Sequence, residues 1–223
     1  MRLDLHVHTA YSYDSTLSLE AMIEAVLRAG LDGVAVLDHD QVEGAQRLQR
    51  LAPFRVIVGE EIGTEHGGIG ALFVTEAIPP QLSVEETVSR IRAQGGLVYV
   101  PHPLARGVPG RLAHSKLWSI ASQVDVIEGY NARTPLVVDD RRACEFAHRH
   151  VLAIAAGSDA HFAFEVGRAW TEMEEFHTPS EFLESLARAP RHHCHKTCPL
   201  VSAATVASIP LLWLAERIRR RLP

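Results

Sequence analysis

Residues 3–40 read LDLHVHTAYSYDSTLSLEAMIEAVLRAGLDGVAVLDHD, two short apolar runs enclosing one helical pattern. Residues 3–7 and 33–37 have the aliphatic density of strands. Between them Ser18 is placed to cap a helix in which Leu19, Met22, Ile23, Val26 and Leu27 share one face, and Gly30 is placed to stop it. The same alternation continues outward. Residues 55–58, 71–74, 97–100, 124–127 and 152–156 read as further strands. Ser83 and Glu86 have the spacing of a capping box ahead of Val84, Val88 and Ile91, and Thr178, Pro179 and Glu181 repeat that signal before Phe182, Leu183 and Leu186. Strand, helix, strand, helix implies an α/β chain with a parallel sheet. Periodicity leaves a closed or distorted barrel and an open doubly wound sheet equally admissible.

Polar donors recur where the strands end. His6 and His8 alternate with Leu5 and Val7, so both point to one side of the first strand and can hold one cation. His39 follows GVAVL between Asp38 and Asp40, Glu61 follows RVIVGE, and His102 follows LVYVP. Glu128 and Asn131 come after VDVI, Asp159 and His161 after LAIAAGS, and Asp14 lies in the loop after the first strand. In α/β folds the loops after the strands share one face, which gathers residues remote in sequence. Buried His and carboxylates together are costly without metals or partners, and mixed imidazole and carboxylate donors suit Zn, Mn or Fe better than Ca. Asp38 and Asp40 read equally well as groups orienting the metal ligands or as caps of the next helix.

The series DLHVHTAYSYDS (4–15), LDHD (37–40), GEEIG (59–63), PHP (101–103), IEGYN (127–131) and GSDAH (157–161) resembles the PHP (polymerase and histidinol phosphatase) family, particularly its short stand-alone phosphoesterases. The resemblance spans residues 2 to about 167 with six motifs in the expected order. It implies a distorted seven-stranded (β/α)7 barrel, TIM-like, with two or three divalent ions (Mn, Zn or Fe) at the carboxyl ends of the strands. Carried over, His6, His8, Glu61 and Asp159 would ligate one ion. Glu61 would bridge to a second that takes His102, and Asp14, His39 and His161 would hold the third. Glu61 is preferred to its neighbour Glu60 because the family pattern places the ligand directly before an apolar residue, here Ile62. Asn131 stands where many trinuclear members supply another His.

The activity so implied is hydrolysis of phosphate esters, small organic phosphates or nucleotides, by a metal-bound hydroxide with no protein nucleophile. Arg106 and Arg133, with Asn131, are the candidate groups for substrate phosphate, since guanidinium grips phosphate bidentately. The rival readings are a short-oligonucleotide exonuclease, a non-catalytic metal-stabilised binding module and a histidinol-phosphate phosphatase.

Composition narrows these choices. The 223 residues carry a net charge of −5 and 6% aromatic residues, which argues against coating of long nucleic acids. Three cysteines make no paired framework and the start lacks a signal peptide, so a cytoplasmic location is expected. Thirteen His exceed what the site needs; His66, His114, His148, His150 and His177 read as surface residues. The run 191–198, RHHCHKTC, matches no common zinc spacing and is expected to be a loop closing the barrel. Residues 1–198 thus form the phosphoesterase domain. Residues 199–223 form an apolar, then basic, tail, either packed on the barrel or in peripheral contact with a membrane.

Overall fold

In the computed structural model of this chain, residues 1–198, 200 and 201 are described. The first unit forms as its pattern requires. β1 (Arg2–Val7) leads to α1 (Leu19–Ala29), where the Ser18 side chain accepts from Ala21 N and Gly30 N closes on Leu27 O. β2 (Gly33–Val36) pairs parallel to β1, and β3 (Arg55–Thr64) pairs parallel to β2 after α2 (Glu43–Leu51).

The uninterrupted parallel sheet fails at the fourth strand. β3 runs six residues past Val58, turns at Glu65 and His66, and returns as β4 (Gly67–Leu72), antiparallel with Thr64 opposite Gly67. Gly67 has φ 107°, which only a residue without Cβ adopts cheaply, so the hairpin is written in the sequence as Gly67-Gly68 rather than as a helical pattern. α3 (Val84–Ala93) then leads to β5 (Leu97–Val100), antiparallel to β4, and the parallel order resumes. α4 (His114–Ser119) and a short 3-10 turn precede β6 (Val126–Asn131), and α5 (Val137–His150) precedes β7 (Ala153–Gly157). β8 (Ala169–Glu172) pairs antiparallel with β1. After α6 (Pro179–Ala187), β9 (Arg191–Cys194) pairs with β8, so the first half of the expected closing loop is an edge strand.

The resulting order is β7-β6-β5-β4-β3-β2-β1-β8-β9. The end of β7 curls back onto β1: Asp159 N donates to His6 O at 2.8 Å and His8 N to Ala160 O at 2.9 Å, and Val7 bridges Ala160 in parallel. Seven strands therefore make a nearly closed barrel wall, with β8 and β9 as an antiparallel flap. Alternation along the strands divides the apolar side chains. Val34, Val36, Val56 and Val58 pack with Met22, Val26 and Leu48 of the helices, while Ala35, Leu37 and Ile57 pack with Leu3, Leu5, Tyr99, Phe176 and Phe182. Among the described residues no helix is long and apolar enough to cross a membrane. The expectation for the tail falls almost wholly outside the described residues.

Candidate metal centre

The strand ends deliver their donors to one buried cluster. His6 and His8, on β1 and just after it, approach through their Nε2 atoms at 2.9 Å. Glu61 Oε2 lies 3.4 Å from His6 Nε2 and 3.6 Å from His8 Nε2; Asp159 Oδ1 lies 3.8 and 3.4 Å from the same atoms. The other Glu61 oxygen, Oε1, faces His102 Nε2 at 3.5 Å. Across the cluster Asp14 Oδ2 meets His39 Nε2 at 3.2 Å and His161 Nε2 at 3.1 Å, and His8 borders this group as well. The structure thus gathers all eight sequence-derived candidate ligands, though they come from five separate stretches of chain.

Two nitrogens of neighbouring imidazoles at such a distance need a proton or a cation between them, because their lone pairs repel. Asp14 Oδ1 and His102 Nδ1 are buried without a hydrogen-bond partner among the described residues. Such a cluster of oxygen and imidazole donors suits divalent transition ions. Without metal, imidazolium must balance the carboxylates. Burial opposes charge on His6, yet Glu128 and Asp159 hold it well above the usual imidazole range. Burial likewise opposes charge on His39, which Glu61 and Asp14 raise to about 9. Burial and the neighbouring His161 push His8 down to about 3. Burial would raise Glu61, Asp159 and Asp14, but the surrounding imidazoles hold all three well below the usual carboxylate range.

The surrounding groups fix how the ring nitrogens point. Glu128, fully buried on β6, places Oε1 3.0 Å from His6 Nδ1, while its Oε2 accepts from His102 N and Asn131 Nδ2. Ser12 Oγ lies 3.1 Å from His8 Nδ1. Sequence reading singled out Glu128 only as a polar residue after a strand; its partner lies 122 positions away and no local pattern reveals it. Asp38 accepts from both Thr9 N and Thr9 Oγ1 at 2.6 Å, and Asp40 accepts from Gly63 N. The N-cap of α2 is Val42, without a side-chain cap, so neither aspartate caps that helix. Glu60 points away from the cluster toward Ile78 N, and burial pushes its carboxyl up to about 8. Backbone strain collects here too, with Asp40, His102 and Asp159 at φ 55°, 32° and 56°.

The three residues expected to meet substrate are placed differently. Arg133 is buried beside the cluster, donating to His161 Nδ1 and to Asp159 O and facing Glu165. Asn131 spends its amide oxygen on Arg133 N and Thr134 N, and donates from Nδ2 to Glu128 and Asp159. Its oxygen braces the loop instead of facing the cluster. Arg106 lies apart from the cluster, half exposed, and grips Asp139. His66, His114, His148 and His177 are exposed, and residues 191–198 join no metal-ligand group among the described residues.

Comparisons with known proteins bear on the family and the fold. A family model described as PHP-associated matches residues 139–189. The chain is 34% identical over 196 residues to the uncharacterized protein MJ0417 of Methanocaldococcus jannaschii, covering 83% of this chain and 79% of that one. It is also 36% identical over 116 residues to the uncharacterized protein MJ1587 of the same organism, covering 46% of this chain and 68% of that one. Among solved structures, a two-domain Bacteroides vulgatus protein containing a predicted PHP-like metal-dependent phosphoesterase superposes with TM-score 0.66 at 17% identity; the match covers 87% of this chain and 65% of that one. PsfC from Pseudomonas syringae superposes with TM-score 0.65 at 17% identity, covering 95% and 98%. An amidohydrolase from Chromobacterium violaceum, with bound sulfate and no metal, gives TM-score 0.63 at 17% identity, covering 85% and 97%.

Proposed function

Because the chain belongs to the PHP family, we propose that it is a metal-dependent hydrolase whose substrates are phosphate esters, small organic phosphates or nucleotides. The observation that carries this reading is Glu61, whose two oxygens face different histidines as a bridging carboxylate would. In this reading His6, His8, Glu61 and Asp159 hold one divalent ion, Glu61 and His102 a second, and Asp14, His39 and His161 a third. Divalent ions such as Mn, Zn or Fe held by these residues would supply a nucleophile at neutral pH and Lewis acidity toward a phosphoryl oxygen. The chain's own residues do the rest. Glu128 keeps the His6 proton on Nδ1, leaving Nε2 free to ligate. Burial of the cluster excludes bulk water, which strengthens every charge interaction inside it. Arg133 offers a guanidinium beside the ligands for the phosphate, and Asn131 holds the loop that carries it.

Elemental analysis of the full chain purified without chelator tests the centre. Two or three equivalents of Mn, Fe or Zn, with turnover of members of a phosphomonoester panel, are expected. A dinucleotide in the same panel tests the diester alternative. One equivalent or none, unchanged after incubation with each metal, would overturn the reading in favour of a binding module.

A further inference from the structure

We propose that the cavity between α4 and α5 is a binding site for a small diphosphate-class anion, separate from the His and carboxylate cluster. The cavity is open to solvent on one side and has a volume of about 360 Å³, and no cluster residue lines it. That volume lies at the lower end of small-molecule sites, roughly 300–1,000 Å³. Arg106, Arg111, Arg142 and Arg149 line it, with Glu145 as the acidic residue among the lining. Behind them Asp139 takes Arg106 at 2.9 Å and Arg142 at 3.6 Å. Four guanidinium groups therefore face two carboxylates, a positive excess on a chain whose net charge is −5. Among the described residues Arg111 donates only to the carbonyls of Pro103 and Leu112, and Arg149 rests over the Trp118 ring at 5.7 Å. Neither has a carboxylate partner among the described residues. Like charges drawn around one concavity repel unless an anion joins them, and a guanidinium fork matches phosphate oxygens. Trp118, itself lining the cavity and 39% exposed, offers an aromatic surface to an organic group carried by the phosphates. The shared ligand chemistry is a diphosphate, either on a nucleotide or free of any base.

Binding is read on the full chain stripped of metal, so the outcome is independent of the hydrolysis proposed above. Inorganic pyrophosphate and, separately, ADP are titrated at low ionic strength by calorimetry. One saturable equivalent is expected, weakened about a hundredfold in the double variant Arg111→Gln/Arg149→Gln, from two charged hydrogen bonds of about tenfold each. Arg188→Gln, exposed at the end of α6 and outside both sites, should bind as the unaltered chain does. ADP binding tighter than pyrophosphate, with the difference erased by Trp118→Phe, identifies a nucleotide; equal affinities identify a diphosphate without base. If the double variant melts early, Trp118→Phe retains the charges and should bind pyrophosphate while losing its fluorescence response. No saturable binding, or binding kept in the double variant, overturns the proposal.

Discussion

Glu60 and Glu61 are chemically identical neighbours whose alternation along β3 sends one to Ile78 and the other to four histidines. Glu61→Gln is expected to lower both bound metal and turnover by two orders of magnitude or more, since a bridging amide carries no charge, whereas Glu60→Gln should change each by less than about threefold. Elemental analysis beside steady-state rates separates the two; near-normal turnover with full metal in the Glu61 variant would sink the ligand assignment. Glu128→Gln tests positioning. It should weaken metal affinity about 10–100-fold in chelator competition and also lower the melting temperature of the metal-free protein, because the buried His6 imidazolium loses its counter-charge. At this scale the sequence was most informative about what chelates, because donor type and motif order are local properties. It was least informative about what holds the chelators, because Glu128, Ser12 and Arg133 act across the barrel on partners that only the fold supplies.

At the scale of elements, caps were legible and strand identity less so. Ser18, Ser83 and Thr178 each accept from the backbone N–H that their spacing implied. The hairpin into β4 reads as a parallel strand because an apolar run carries no direction, and the four-residue strands β8 and β9, AWTE and RHHC, hold too few apolar positions to stand out. One close approach decides whether β7 can lie beside β1. A Cβ on Gly157 would stand 2.3 Å from His6 Cβ and 2.5 Å from Glu128 Oε1. Gly157→Ala should therefore destabilise the chain by about 1–3 kcal/mol and reduce bound metal together, as read by urea melts and elemental analysis. An alanine variant with unaltered metal content would show that the His6 and Glu128 pair tolerates displacement. The segment after β9 is pinned by Lys196, which donates to Asn131 O and Asp140. Burial pushes Asp140 up from 3.8 to about 6 despite Lys196. The folded chain thus keeps this proton longer than the unfolded one, so the contribution is largest at low pH and is lost as pH rises from about 4 to 6. Asp140→Asn should remove that decline, a difference visible in urea melts at the two ends of the window.

For the molecule as a whole, the cluster is the largest concentration of buried charge in the described structure, and ions that bind only the folded form stabilise it by mass action. Chelator should lower the melting temperature by roughly 5–10 °C for each site previously filled at about 100 times its Kd, with recovery on reloading. An unchanged melting curve would mean that the cluster holds no ion. The barrel that frames it is closed by contacts far apart in sequence: Ser158 N reaches Asp4 across 154 positions, and β1 lies between β2 and β8. A ribosome therefore emits His6 and His8 long before Asp159 and His161, and the earliest strand waits with one edge bare until nearly the whole barrel has been synthesised. The cluster is therefore incomplete until residue 161 has emerged, and the nascent strand is the segment a chaperone would have to guard.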